Sequence, residues 1–284
     1  MKSDILKRFD LTGKVAAVTG GGGDLCGAMV EALGAMGVRL AVLDINLEKA
    51  EARSLAVIRS GGTAKAFQCD VLDRGQILEC YEAVRSLWGP PDFLINGAGG
   101  NAPRATTSEE FHRLTGSSDP AGQSFFDLDS TGFRQVFDLN FIGTFLVSQA
   151  FSRGMVGKGK GSIVNISSMS AFTPLTKVPA YSAAKGAVSN FTQWLAVHFS
   201  RTGVRVNALA PGFFMTEQNK FLLVNQKTGE LLPRGDKAIA HTPMGRFGLP
   251  EDLIGTLVWL LSDASSFVTG VVVPIDGGFS SYSI

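Results

Sequence analysis

The 284-residue sequence has little net charge, few cysteines and no long apolar run. Lysine and arginine number 26 against 25 aspartates and glutamates, so the formal net charge is +1. This balance gives no electrostatic reason to expect nucleic acid or an anionic membrane as a partner. The three cysteines, at positions 26, 69 and 80, lack metal-ligand spacing such as C-x-x-C. We therefore predict no metal site and a reducing compartment.

Signals for membranes and for several domains are also lacking. No stretch approaches the roughly 20 apolar residues of a membrane-spanning helix. The first ten residues mix both charges and lack the apolar core of a secretory signal. There is no internal repeat and no low-complexity linker. We therefore expect a soluble, cytoplasmic protein with a single domain over residues 1–284, long enough to bury a large core.

Short apolar runs alternate with longer amphipathic stretches along the chain. The predicted strands cover residues 15–19, 39–44, 66–69, 93–96, 162–167, 205–208 and 271–275. The predicted helices cover residues 25–36, 47–60, 74–88, 132–155, 181–200 and 251–261. This alternation predicts an α/β protein: a doubly wound Rossmann fold whose mainly parallel sheet is flanked by helices.

Two long connections interrupt the alternation, at about residues 100–130 and 213–248, with some helical character at 219–224. Each follows the C-terminal end of a predicted strand, at the edge where open α/β sheets bind ligands. Loops of this length are often lids or binding loops. We interpret both as substrate loops, with surface decoration as the alternative.

The first predicted strand runs directly into a glycine-rich turn, residues 19–27, that opens a helix. Glycines let the backbone approach a pyrophosphate closely, and a helix N-terminus offers free N–H groups and a favourable dipole. The next strand ends at Asp44, which can accept hydrogen bonds from both ribose hydroxyls and would repel a 2′-phosphate. The pattern favours NAD(H) over NADP(H). The candidate cofactor residues here are Gly20, Gly22, Gly23, Asp24, Leu25 and Asp44.

Two further strand ends carry candidate cofactor contacts. Asp70, followed by Val71, could accept a hydrogen bond from the adenine amino group, although a turn-forming role fits equally. Asn96, Gly97 and Ala98 are small enough to leave room for a flat ring or a ribose, with a tight turn as the alternative.

Tyr181 and Lys185 form the most informative pair. Residues four apart share one face of a helix, and an ammonium beside a phenol lowers the pKa of the phenol. Tyr181 is therefore a candidate acid and base near neutral pH. Ser168 follows the preceding predicted strand, where its hydroxyl could hydrogen-bond the same substrate oxygen.

These residues together resemble the short-chain dehydrogenase/reductase family over roughly residues 11–279. The resemblance rests on Thr19-Gly20, Asp70-Val71, Asn96-Gly97-Ala98-Gly99, Asn140 in Asn-Phe-Ile-Gly, Ser168, Tyr181, Lys185, Pro211-Gly212 with Thr216, and Asp276-Gly277-Gly278. It implies reversible hydride transfer between a nicotinamide and a carbonyl/alcohol pair of a small-molecule substrate. It also implies a homotetramer.

The resemblance assigns roles to individual residues. Asn140 would hold a water that links Lys185 to solvent, and Lys185 would also bind the nicotinamide ribose. Ser168 would polarise the substrate carbonyl while Tyr181 moves the proton, so no metal is needed. The cofactor residues expected on the nicotinamide side are Pro211, Gly212, Phe214 and Thr216, together with Tyr181 and Lys185.

The chain departs from the family pattern within the glycine-rich turn. Asp24 and Cys26 occupy positions where the family usually has glycine. A carboxylate near a pyrophosphate is unfavourable unless Asp24 caps the helix and points away. We interpret Cys26 as a small packing residue, with a redox-sensitive thiol as the alternative.

Within the family, the sequence is most similar to a subgroup of D-mannonate oxidoreductases, or fructuronate reductases. A sugar acid needs many hydrogen-bond partners and a cation for its carboxylate. The candidate substrate residues are Asn101, Arg104, Ser168, Lys177 and Gln218, with Arg104 and Lys177 as the candidate cations. The alternatives are a polyol or 5-keto gluconate-type dehydrogenase, a 3-oxoacyl or steroid reductase, and a non-catalytic NAD-sensing protein.

Overall fold

The computed structural model describes residues 2–112, 122–217 and 219–283. Within these residues seven strands form one parallel sheet in the order β3-β2-β1-β4-β5-β6-β7. The strands are β1 Val15–Thr19, β2 Arg39–Asp44, β3 Thr63–Gln68, β4 Phe93–Asn96, β5 Gly161–Ile166, β6 Val204–Pro211 and β7 Val272–Ile275. Strand order changes direction between β1 and β4, so a crevice opens at their carboxyl ends. The predicted Rossmann fold is confirmed.

Helices cover both faces of this sheet. They are α1 Lys2–Lys7, α2 Asp24–Ala35, α3 Leu47–Arg59, α4 Arg74–Trp88, α5 Ser130–Phe137, α6 Gly143–Lys158, α7 Pro179–Phe199, α8 Lys220–Leu223, α9 Pro233–Ala240 and α10 Ile254–Leu261. The helix predicted over 132–155 is two α-helices joined by a π-helical turn, Asp138–Ile142. Helix α9 lies inside the connection 213–248, where only residues 219–224 were predicted to have helical character.

Alternate residues of the strands point into two separate cores. In β1, Ala16 and Val18 face one core with α2 and α10, while Val15 and Ala17 face the other with α4, α6 and α7. Both faces of the central strands are therefore covered, which explains why these strands read as continuous apolar runs. In the described part of the chain, no helix combines the length and apolarity needed to cross a membrane.

Candidate active site

Thr19 is the last residue of β1, and it links β1 to the end of β4 at the crevice. Its Oγ1 accepts hydrogen bonds from the backbone N–H of Gly97 at 3.1 Å and of Ala98 at 3.3 Å. Gly20 has a φ of +64°, and an ideal Cβ there would lie 2.9 Å from the Ala98 nitrogen. A side chain at position 20 would therefore push the turn away from the β4 end.

The glycine-rich turn presents the start of α2 to the crevice. Gly23 is the N-cap residue, and no side chain caps the helix there. The first N–H groups of α2 can therefore bind an anion. The backbone N–H of Gly22 donates to Oδ2 of Asp44 at 3.0 Å, and Asn46 donates to Oδ1 at 2.9 Å. The arrangement keeps the prediction that a dinucleotide would place its pyrophosphate at α2 and its ribose at Asp44.

Asp24 is the first residue of α2, but its side chain does not cap that helix. Its Oδ2 accepts a hydrogen bond from the backbone N–H of Glu217 at 2.7 Å. Its Oδ1 lies 3.7 Å from Nη2 of Arg53, whose Nη1 contacts Oε1 of Glu31 at 2.7 Å. The carboxylate thus bonds with the connection after β6 instead of with its own helix.

Cys26 is buried in the core beside Gly97, where a Cβ on that glycine would meet the thiol sulfur. Burial raises the pKa of the Cys26 thiol to about 12, so the thiol stays protonated at neutral pH. These properties favour the interpretation of Cys26 as a packing residue.

Ser168, Tyr181 and Lys185 converge at the carboxyl end of β5. Ser168 begins a short 3₁₀ turn, Met169–Ala171, and its Oγ accepts a hydrogen bond from the Ser170 N–H at 3.1 Å. The Tyr181 hydroxyl lies within reach of a hydrogen bond with the Ser168 hydroxyl, which acts to lower the pKa of the phenol. Lys185 follows Tyr181 by one helical turn of α7, with its Nζ 5.6 Å from the centre of the tyrosine ring.

Burial controls the ionisation of both α7 side chains. It raises the pKa of Tyr181, and the hydrogen bond with Ser168 opposes this rise without cancelling it. Burial lowers the pKa of Lys185 to about 8. The expected lowering of the Tyr181 pKa is therefore wrong for this structure. The Lys185 amine instead donates a hydrogen bond to the Ile166 carbonyl at 2.8 Å.

Asn140 lies in the π-helical turn and is fully buried. Its Nδ2 donates to the carbonyls of Gly100 and Val136, each at 2.7 Å, and its Oδ1 accepts from the Gly100 N–H at 3.3 Å. An ideal Cβ on Gly99 would lie 2.6 Å from Oδ1 of Asn140 and 3.3 Å from Nζ of Lys185. Gly99 therefore allows the amide and the amine to approach each other, as their proposed water link requires.

The side chains at two other strand ends have structural partners. Oδ1 of Asp70 accepts from the Leu72 N–H at 2.9 Å, which is the turn-forming role, and Val71 is buried against Gly143. Asn96 is buried, and its Nδ2 donates to Oγ of Ser148 at 2.9 Å and Oδ1 of Asn165 at 2.8 Å. A contact of Asn96 with the cofactor would therefore come from its backbone.

The predicted nicotinamide-side residues follow β6 closely. Pro211 is the last residue of β6, and an ideal Cβ on Gly212 would lie 2.6 Å from Cα of Asp276. Phe214 is buried and packs on Gly248. The backbone N–H of Thr216 donates to Oδ1 of Asn219 at 2.8 Å. Gln218 lies outside the described residues.

The other predicted substrate residues lie on loops above the site, and each has a partner in the chain. Nδ2 of Asn101 donates to Oγ1 of Thr106 at 2.9 Å. Nη1 of Arg104 is 3.9 Å from Oδ2 of Asp129, and the Arg104 side chain is 75% exposed. Nζ of Lys177 donates to the Ser108 carbonyl at 2.7 Å, and Lys177 has a left-handed φ of +71°.

One contact between the two long connections was not predicted. Lys237 of α9 forms a hydrogen-bonded ion pair with Glu110. The two residues are 127 positions apart, and both are ordinary loop charges in the sequence. No sequence signal could have paired them.

The chain is similar to known oxidoreductases along nearly its whole length. The enoyl-(acyl carrier protein) reductase family of short-chain dehydrogenases matches residues 25–280. The chain is 51% identical to the uncharacterized oxidoreductase UxuB of Bacillus subtilis, over 96% of this chain and 97% of that protein.

Two solved structures are similar over nearly their whole length. One is a proposed D-mannonate oxidoreductase from Haemophilus influenzae with bound NAD, at 48% identity and a TM-score of 0.92, covering 96% of this chain and 97% of that one. The other is a gluconate 5-dehydrogenase from Burkholderia cenocepacia with NADP and tartrate, at 29% identity and a TM-score of 0.83, covering 98% and 99%.

Proposed function

The chain belongs to the short-chain dehydrogenase/reductase family, and from this premise we propose that it is an NAD(H)-dependent dehydrogenase of a sugar acid of the D-mannonate/D-fructuronate type. The observation that carries the proposal is the convergence of Ser168, Tyr181, Lys185 and Asn140 at the sheet edge that also holds the glycine-rich turn. A nicotinamide held at this crevice would supply or accept the hydride. The residues of the chain bind and orient the reactants and move the proton.

Ser168 and Tyr181 act on the substrate oxygen. Their hydroxyls lie close together, so both can reach one carbonyl oxygen placed between them. Two O–H donors stabilise the negative charge that develops on that oxygen during reduction. Tyr181, which its raised pKa keeps protonated at neutral pH, then gives its proton to the oxygen.

Lys185 and Asn140 carry the proton onward to Tyr181. Because the pKa of Lys185 is about 8, the amine can both hold and release a proton near neutral pH. A water held by Asn140 would connect the amine to solvent. The Ile166 carbonyl fixes the direction of the amine, so the pathway is ordered before substrate binds.

The preference for NAD(H) rests on Asp44. Its carboxylate is fixed beside Gly22 by two backbone N–H groups, so it cannot easily swing away from an incoming ribose. A 2′-phosphate there would meet a fixed negative charge, which is unfavourable at short range. The bound NAD of the Haemophilus structure supports this preference, while the NADP of the Burkholderia enzyme shows that relatives differ.

The sugar-acid class rests on similarity and on the polar loops. Both solved relatives carry sugar-acid names. Among the described residues, Lys177 uses one N–H on the Ser108 carbonyl, and an ammonium has three, so two are left for a carboxylate. Arg104 is the second candidate cation because its guanidinium is mostly exposed and only loosely paired.

The test follows NADH absorbance with fructuronate, 5-ketogluconate and tagaturonate, alongside NADPH and neutral ketoses. We expect NADH oxidation to be fastest with fructuronate. Tyr181→Phe is the matched control: it should abolish turnover while NADH fluorescence still reports binding. Activity confined to neutral ketoses would contradict the carboxylate-binding role of Arg104 and Lys177. NADH binding without turnover of any substrate would favour the NAD-sensing alternative.

A further inference from the structure

The reaction proposed above gives Asp24 no role. A carboxylate at the first position of α2 places negative charge where the pyrophosphate would bind. The helix dipole alone would attract the carboxylate and the pyrophosphate equally. Yet both carboxylate oxygens have partners away from the helix axis, Oδ2 with the Glu217 N–H at 2.7 Å and Oδ1 with Arg53 at 3.7 Å.

We propose that Asp24 is a positioning residue that fastens residues 213–217 to the cofactor-binding turn, and thereby holds Thr216 over the nicotinamide side of the crevice. The bond joins residues 193 positions apart. It connects α2, on one side of the crevice, to the connection that leaves β6 on the other. The inference rests on the proposed function in one respect, that Thr216 contacts the cofactor.

The other attachments of this segment explain why the bond matters. The Gly212 N–H donates to the Ile275 carbonyl at 3.0 Å, and the Gly248 N–H donates to the Phe213 carbonyl at 2.8 Å. Asn219 bonds with Thr216 and Phe214 within the segment's own turn. Among the described residues, these bonds hold the segment to β7, to Gly248 or to itself. Asp24 links it to the α2 side.

Arg53 makes the carboxylate compatible with an anion site. The guanidinium packs over Gly27, where a Cβ would collide with it, and it bridges Asp24 and Glu31. Its positive charge partly offsets the negative charges of Asp24 and Glu31 beside the pyrophosphate position. A glycine, the usual family residue at position 24, has no side chain to fasten the segment.

Three variants separate fastening from charge. Asp24→Ala removes both the acceptor and the charge. Asp24→Asn removes the charge but keeps an amide oxygen that can accept the Glu217 N–H. Glu31→Gln is the control, because it changes the other carboxylate on Arg53 and leaves the Asp24–Glu217 bond in place.

The first measurement is hydrogen exchange over residues 213–217 without cofactor, and the second is the dissociation rate of NADH by stopped-flow fluorescence. We expect Asp24→Ala to raise both by roughly threefold to tenfold, as for loss of one hydrogen bond. For Asp24→Asn and Glu31→Gln, the exchange rate and the NADH dissociation rate should stay within about twofold of the wild-type values.

Unchanged exchange in Asp24→Ala would overturn the proposal. So would equal effects of Asp24→Ala and Asp24→Asn on exchange and on NADH dissociation, because the side chain would then act through its charge alone. Failure of the wild type to bind NADH would defeat the proposed function instead. The exchange measurement, which needs no cofactor, would still decide whether Asp24 fastens the segment.

Discussion

Lys185 combines deep burial with an ionisable amine, and this couples its protonation to folding. Burial lowers its pKa to about 8 in the folded protein, while the unfolded chain keeps a value near 10.4. Between these two values the unfolded chain binds more protons than the folded one. The contribution of Lys185 to stability therefore increases as the pH rises through this interval.

Lys185→Met tests this coupling because methionine fills similar space without a charge. We expect the free energy of unfolding of the wild type, relative to Lys185→Met, to increase by up to about 3 kcal/mol between pH 7 and pH 10.5. Urea unfolding of both proteins at the two pH values measures the difference. Parallel pH profiles of the two proteins would contradict a lowered pKa.

Asp44 is the residue on which the cofactor preference depends. In Asp44→Asn the amide oxygen can still accept the Gly22 N–H, but the negative charge is gone. We expect the ratio of kcat/KM for NADH to that for NADPH to fall by about tenfold, equivalent to about 1.4 kcal/mol. The exposed Glu51 of α3 provides the control, and Glu51→Gln should leave the ratio unchanged. An unchanged ratio in Asp44→Asn would place the selection elsewhere.

At the scale of elements, the Glu110–Lys237 ion pair joins the two long connections. Both side chains are partly exposed, so the pair adds less than about 1 kcal/mol to stability. We therefore expect Lys237→Met to leave the melting temperature nearly unchanged but to raise the substrate KM by about threefold, because α9 is less firmly held.

Lys160 supplies a matched control for that variant. It forms an exposed ion pair with Asp263 at 3.0 Å, and neither residue belongs to the two long connections. Lys160→Met should change neither the melting temperature nor KM. Equal KM values for wild type and Lys237→Met would show that the loop contact has no role in substrate binding.

Three strands and α4 could be predicted residue by residue, but the bounds of other elements, such as β5 and β6, differ from the prediction. β1, β2 and β4 have the predicted bounds because strands covered on both faces are apolar throughout. The edge strand β3 begins at Thr63 instead of 66, since its exposed, charged Lys65 hides the start. Helix α9 buries only Gly235 and Ala238, so it has no apolar stripe to reveal it.

In the candidate site, too, some contacts could be predicted from the sequence and others could not. The helical spacing of Tyr181 and Lys185 brought them together as predicted, because four residues make about one turn. The π-helical turn that carries Asn140 leaves no compositional trace, and the partner of Asp24 lies 193 residues away. Long-range hydrogen bonds of this kind depend on tertiary packing. The catalytic and binding roles of these residues remain predictions.

At the scale of the whole molecule, α7 carries an exposed aromatic surface. Phe191, Trp194 and His198 stack on one another, and Trp194 and Val197 are 57% and 76% exposed. Exposed apolar groups of this size often mark an interface between subunits. The face agrees with the homotetramer that the family resemblance implies, and we retain the tetramer as an expectation.

A charge placed on this face should disrupt the assembly. We expect Trp194→Glu to shift the protein from tetramer to dimer or monomer, measured by size-exclusion chromatography with light scattering, because a buried unpaired carboxylate is strongly unfavourable. Leu87 of α4 is exposed to a similar extent, and Leu87→Glu should leave the mass unchanged. A monomeric wild type would contradict the expected tetramer.

The strand order also has a consequence for how the chain reaches its native state. β1 pairs with β4, and this contact joins Thr19 to Asn96 across the whole β2–β3 portion of the chain. Parallel pairings between distant segments form slowly, because the intervening chain must be ordered first. The crevice between these strands does not exist until that pairing is made. During synthesis, therefore, the nascent chain gains its cofactor crevice only after β4 has emerged, and a chain stopped earlier has no such crevice for a dinucleotide to stabilise.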